Sequence, residues 1–169
     1  MWSSKSLPKI AVGLLALGLL APFKVVAFDV PITLQTLVLF TLAFWLSWRE
    51  TFVVVGLYLL LGALGLPIYA GHQSGWEKLI GPTAGFLWGF WLVTTLLSWQ
   101  VQLNKPNYFM AVVWVFIAHA LLLIPGFLVL QWRMEGVELY PTFVRLIPGL
   151  LVKSLLGGLL GVFILRQAA

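Results

Sequence analysis

Charge is almost absent from the middle of this chain, and that absence limits its fold more than any motif does. No Asp, Glu, Lys or Arg occurs in residues 30–48, 51–76, 79–104 or 106–132. Each run matches or approaches the roughly 20 apolar residues with which a helix crosses a bilayer. Charged residues make up 9% of the 169 positions and hydrophobic ones 62%, whereas a soluble domain is about a quarter charged. Such a surface cannot be coated for water. The chain reads as an integral membrane protein with the lipid bilayer as its solvent.

Inside lipid every backbone polar group must be satisfied by the protein, which leaves helices or a closed barrel. Leu-rich runs of this length fit helices, because barrel strands would be shorter and alternating. The expectation is therefore all-α: a compact bundle of six transmembrane helices, over residues 10–27, 32–48, 51–70, 82–99, 108–130 and 142–165, in a single domain spanning 1–169. The first span has a competing reading. Lys5 and Lys9, the apolar run 10–22 and "VVA" at 25–27 resemble a secretory signal peptide. Lys24, ahead of the would-be cleavage point, fits that reading poorly.

The net charge of +5 argues orientation in a membrane protein. No basic run interleaved with aromatics suggests a nucleic-acid partner. With the N-terminus in the cytoplasm, Lys5, Lys9, Arg49, Lys105 and Arg166 lie inside, and Lys24, Lys78, Arg133 and Arg145 outside. Both termini are then cytoplasmic. Trp2, Trp48, Trp99 and Trp132 fall near span ends, where amphipathic rings favour the headgroup boundary.

That topology gathers the polar residues on one face. "VPITLQT" at 30–36, the loop 71–81, "GPTAG" at 81–85 and "RLIPGLLVK" at 145–153 all lie at outer helix ends, and four converging polar segments read as a pocket lining. Pro31, Pro82 and Pro148 each read as the first residue of a helix, where a missing N–H costs nothing. On that count Gln35 lies about 6 Å, and Lys153 about 7–8 Å, into its helix. Thr83 would sit in a first turn, beside free N–H groups that suit an anion.

Bland readings stand beside these. Lys153 snorkels equally well to the surface, and Thr33 and Gln35 suit bonds between helices. Gly81, Gly85 and Gly89, like Gly157 and Gly161, form smooth stripes for close packing. His119 reads as a satisfied core residue, and Glu77–Lys78 as a solvated pair. No enzyme is expected: the five acids, Asp29, Glu50, Glu77, Glu135 and Glu138, fall at span ends or in loops, and there is no cysteine. Neither a metal, a cofactor nor a nucleotide-binding loop is suggested.

"VPITLQTL" at 30–37, and "LGLPIYAG" followed by "GPTAGFLWGF", resemble signature stretches of the BioY family, the biotin-binding membrane components of energy-coupling-factor transporters. "AHALLLIPG" at 118–126 and "IPGLLVK" at 147–153 extend the likeness, which covers about residues 28–155. The resemblance implies a six-helix component of a bacterial cell (inner) membrane that takes up biotin from outside. It further implies a transmembrane coupling protein and two cytoplasmic ATPase subunits as partners, and a lid formed by the loop after the third span. The implied pocket comprises Thr33, Gln35, Tyr69, Gln73, Thr83, Phe86 and Lys153: amides and hydroxyls on the ureido ring, aromatics on the apolar parts, Lys153 toward the carboxylate. The chain departs from the pattern at Leu150, where the family carries Asp, and at His72, Gln73, Ser74 and Trp76 in a loop that is usually glycine-rich. Gln35, Gln73 or Thr83 would then act as neutral acceptors. The same architecture for another vitamin, or a ligand-free structural membrane protein, are the alternatives.

Overall fold

The computed structural model describes residues 6–27, 30–136 and 138–167. Helix α1 (Ser6–Leu20) opens the chain. It ends just before Pro22, whose ring lacks the N–H that another turn requires. The chain then extends as a hairpin of β1 (Lys24–Ala27) and β2 (Val30–Thr33), with Lys24 opposite Thr33 and Ala27 opposite Val30. Here the sequence expectation is corrected. Pro31 does not start a helix but lies in β2, opposite Val26, in a two-stranded sheet that has edges where a missing donor is tolerated.

Helix α2 (Gln35–Trp45) follows the hairpin, and only Leu46 and Ser47 separate it from α3 (Trp48–Ala63). Ser47 makes that break sharp. Its hydroxyl accepts from the Glu50 N–H while the Glu50 carboxylate accepts from the Ser47 N–H at 2.8 Å, a reciprocal cap that satisfies two orphan donors. The long connection after α3 carries a single-turn helix, α4 (Glu77–Ile80). Helix α5 (Ala84–Asn104) leads into α6 (Tyr108–Arg133), capped by Asn107 on the Met110 N–H at 2.9 Å. Helix α7 (Leu139–Gln167) closes the chain and contains Pro148 in its interior, not at its start. Likewise Pro82 lies in the turn ahead of α5.

The result is a helical bundle with one small hairpin. Helix α6 packs between α5 and α7, α2 packs on both α5 and α7, and α1 lies on α3 and α2. Leu39, Phe40, Ala43 and Phe44 of α2 meet Val54, Val55 and Tyr58 of α3 in the core. Helix α1 contributes Ile10, Gly13 and Leu17 to the interior, with Ala21 just past its end, so it serves as a wall of the bundle. The outer faces are greasy: Leu92, Leu96 and Leu103 on α5, Phe109 and Leu128 on α6, and Leu155 and Phe163 on α7 are exposed. So much exposed apolar surface belongs in lipid.

Three helices, α5, α6 and α7, are long and apolar enough to cross a membrane by length and composition. Of the rest, α1, α2 and α3 are shorter than the sequence suggests. The hairpin takes residues 24–33, and the Ser47 cap stops α2 early. With 11 residues, α2 reaches only about 16 Å, roughly half the hydrocarbon thickness.

Candidate functional site: a lysine-lined cavity at one end of the bundle

Where α2 and α5 begin, the hairpin, the α3–α5 connection and α7 enclose a cavity of about 480 Å³. All seven residues singled out from the sequence line it: Thr33, Gln35, Tyr69, Gln73, Thr83, Phe86 and Lys153. They arrive from five different parts of the chain.

Gln35 is the first residue of α2, so the expected depth of more than a turn is corrected to none. Its orientation is fixed by a relay. The Tyr58 hydroxyl donates to the Ile68 carbonyl at 3.0 Å, and must therefore accept from Gln35, whose Nε2 lies 2.7 Å away. The amide nitrogen is thus used, and Oε1 remains as an acceptor.

Tyr69 and Gln73 face each other across a tight turn, with Tyr69 N–H to Gln73 O at 3.0 Å and the reverse at 3.3 Å. Gly71 and His72 close that turn with φ of 75° and 57°. Glycine adopts such angles freely, whereas they strain a histidine. The loop is tied down on both sides. Gly71 N–H donates to Pro22 O at 2.7 Å and Gly75 N–H to Gly62 O at 2.8 Å. Tyr69 adds its hydroxyl to the Leu59 carbonyl at 2.6 Å, and its ring lies over Gly62, where any Cβ would collide with it. The lid-like segment is therefore anchored to α3 and to the turn between α1 and β1.

Thr83 immediately precedes α5 and its side chain caps nothing, so its hydroxyl is uncommitted. It does not sit in the first turn as the sequence suggested. Phe86 and Phe90 supply the apolar wall on α5. Lys153 lies well inside α7, half-buried, and its Nζ donates to Thr36 Oγ1 at 2.7 Å. Snorkelling away from the bundle is excluded by that bond.

Several lining residues escaped the sequence reading. Lys24 and Lys78 join Lys153, which places three ammonium-bearing side chains around the cavity. Among the described residues no carboxylate lines it. Lys78 is thereby part of the cavity wall, not half of a solvated pair. Leu150, 8% exposed, lines the wall near Lys153. Thr36 and His119 complete the polar lining. His119 is the middle-of-helix polar residue of α6, and an ionisable group at that depth is itself a signal of function. It is not fully satisfied, since its Nε2 is buried without a partner among the described residues. No group of three or more potential metal-ligating side chains occurs among those residues.

The BioY family model matches residues 1–169. The chain belongs to the BioY family. Relatives include the biotin transporter BioY2 of Lactococcus lactis subsp. cremoris, 35% identical over 164 residues, covering 95% of this chain and 90% of the relative. The biotin transporter BioY of Rhizobium etli is 33% identical over 162 residues, covering 88% and 84% respectively. The fold of this BioY chain is similar to that of a solved structure described as the S-component for biotin from an ECF-type ABC transporter. The TM-score is 0.76 at 22% identity, covering 97% of this chain and 89% of the other. In this family member the signature stretches "VPITLQTL" and "GPTAGFLWGF" supply Thr33, Gln35, Thr36, Thr83, Phe86, Leu87 and Phe90 of the cavity. Both stretches thus line the cavity.

Proposed function

We propose that this BioY chain is the membrane-embedded component that binds biotin for uptake, with the cavity as its binding site. The observation that carries the reading is the convergence of Gln35, Tyr69, Gln73, Thr83, Phe86 and Lys153 on one hollow of about 480 Å³. That volume lies within the roughly 300–1,000 Å³ of small-molecule sites. The lining matches the ligand's chemistry. Gln35 Oε1 and the Thr83 hydroxyl offer acceptors to urea N–H groups, Phe86 and Phe90 cover the fused rings and chain, and lysines neutralise the carboxylate.

In this reading the whole chain is one substrate-binding domain, and α1, α2 and α3 cross a bacterial inner membrane together with the long α5, α6 and α7. The shorter α1, α2 and α3 are continued by the hairpin and the α3–α5 connection. The cavity faces outward and both termini are cytoplasmic. The chain carries no nucleotide-binding motif, so energy comes from a transmembrane coupling protein and two ATPase subunits. Leu150 in the cavity wall favours testing other vitamins alongside biotin, because an apolar side chain supplies no acceptor there.

Saturable binding of labelled biotin to the purified protein, competed by a panel of unlabelled vitamins, tests the reading. Competition by biotin ahead of the others is expected. Saturable binding of a different vitamin in preference would reassign the site, and no saturable binding at all would leave a structural role.

A further inference from the structure

Another hollow, of about 510 Å³, lies at the far end of the bundle from the lysine-lined cavity, where α5 finishes and α2 turns into α3. Three cations line it from three helices: Lys9 of α1, Arg49 of α3 and Lys105 at the end of α5. Lys9 Nζ lies 5.9 Å from the centre of the Trp45 ring, and the Arg49 guanidinium 5.1 Å from that of Trp48. Contacts of this kind hold a cation in place without neutralising it. Glu50 is the one carboxylate among the described lining residues; it is buried, and it accepts from the Ser47 N–H in the cap of α3. Three cations against one carboxylate leave the hollow with an excess of two positive charges. Lys105 adds a further sign. It ends α5 with φ at 41°, a left-handed conformation that glycine adopts at less cost, so an ammonium is kept there against the preference of the backbone.

Two features decide what kind of anion fits. The floor is apolar, formed by buried Phe44, Leu46 and Val101. Toward the middle of the bundle, the same helix faces turn outward and greasy. Phe52 stands four residues beyond Trp48 on α3, and Trp99 three residues before Gln102 on α5; such spacings share a face, and both rings are exposed. Helices α3 and α5 pack together, so these rings continue one surface away from the hollow. Such a surface belongs in lipid. We propose that the hollow seats the phosphate-bearing headgroup of an anionic phospholipid, with an acyl chain along the outer face of α3 and α5. Basic pockets between transmembrane helices are where anionic headgroups bind. A free phosphate would use the cations alone, and an acidic protein segment in water would not reach Phe52 and Trp99. The site stands apart from the biotin cavity, at the other end of α5.

Native mass spectrometry of the purified chain, released from maltoside micelles with dioleoylphosphatidylglycerol or dioleoylphosphatidylcholine added, tests this. The parent is expected to keep one phosphatidylglycerol under conditions that strip phosphatidylcholine, which has the same chains and no net charge. Lys9→Gln, Arg49→Gln and Lys105→Gln should each weaken that retention about fivefold, the usual contribution of one basic side chain near an anionic lipid surface. Lys9→Gln combined with Arg49→Gln should weaken it more than about tenfold. Arg133→Gln combined with Arg145→Gln removes two exposed charges outside the hollow and should leave retention unchanged. Lys9→Arg combined with Arg49→Lys keeps both charges and should keep the lipid, which separates charge from folding.

Equal retention of the two lipids by the parent overturns the proposal. Equal weakening by the Arg133 and Arg145 pair also overturns it, because a diffuse attraction between a basic chain and an acidic lipid acts that way. Displacement of phosphatidylglycerol by inorganic phosphate at the same concentration would make the hollow a free-anion site and overturn the lipid assignment. If the glutamine variants keep the lipid but lose biotin uptake by cells, the cations serve an acidic protein partner instead, and the proposal falls.

Discussion

A lysine side chain turned into a membrane protein's interior costs desolvation unless something there uses its charge. Lys153 is such a residue: it points inward, donates to Thr36 Oγ1 at 2.7 Å, and lines the cavity with two of its three donors unused among the described residues. If those meet the ligand, Lys153→Met is expected to weaken biotin at least tenfold, since removing a charged partner typically costs about 2–5 kcal/mol, at roughly 1.4 kcal/mol per decade. Thr36→Val should cost less, because it removes a neutral partner of Lys153 and leaves the ammonium in place. Isothermal titration of both variants checks the order; unchanged affinity in a folded Lys153→Met would take this residue out of the site. The sequence showed Lys153 as a lone charge in a Leu-rich run and so drew attention to it. It could not show Thr36 as the partner, because contact across 117 positions depends on how α2 and α7 pack. The same holds for Gln35. An amide near an outer helix end was legible, though read a turn too deep, and its orientation depends on Tyr58, which α3 brings within 2.7 Å.

At the level of elements, glycine marks where helices approach most closely, and the structure separates neighbours that the sequence could not. Gly157 and Gly161 form the regular stripe, yet a Cβ at Gly157 would meet only ordinary contacts at 3.5 Å or more. A Cβ at Gly158 would lie 2.6 Å from the backbone of Val112 on α6, and one at Gly85 would collide with the Pro125 carbonyl oxygen. Backbone cannot rotate aside as a side chain can. Gly158→Ala and Gly85→Ala are therefore expected to destabilise by about 1–3 kcal/mol or more, through overpacking. Gly157→Ala should be neutral or stabilising, since alanine is favoured over glycine within a helix by about 1 kcal/mol. Thermal melts in detergent separate the outcomes, and equal melting temperatures for the 157 and 158 variants would contradict the packing described. Most helices were legible from charge-free runs. The hairpin was not, because Val25, Val26 and Ile32 are as apolar in type as the helices around them, and hydropathy alone does not distinguish a short strand from a short helix. Pro31, read as the first residue of a helix, and Pro22, inside the expected first span, were the available signal.

Across the whole molecule the two ends differ in what their positive charges do. Lys24 and Lys78 line the cavity at the end where α5 begins. Lys9, Arg49 and Lys105 surround a hollow at the end where α5 finishes, with Lys9 over Trp45 and Arg49 over Trp48. The sequence showed only a thin excess of cytoplasmic cations. The structure supplies a reason: two of the four cations expected outside, Lys24 and Lys78, line a cavity suited to an anion, and so say little about orientation. Small residues on α1 divide in a similar way. Gly13 packs on Leu46 and Val54, while Ala11 faces outward. If a coupling protein docks on that outer face, Ala11→Trp is expected to abolish uptake by cells and leave biotin binding by the purified protein intact; loss of both would make the position structural.

Orientation itself has a direct test, helped by a chain without cysteine. Ser74 lies in the connection that covers the cavity, and exposed Asn104 ends α5 at the opposite end of the bundle. With the cavity outward, Ser74→Cys should react with a membrane-impermeant thiol reagent on intact cells, and saturating biotin should slow that reaction by covering the loop. Asn104→Cys should react only after the membrane is opened. The reverse pattern would place the cavity on the cytoplasmic side, where it could not capture a vitamin from outside, and would overturn uptake as the function of this cavity.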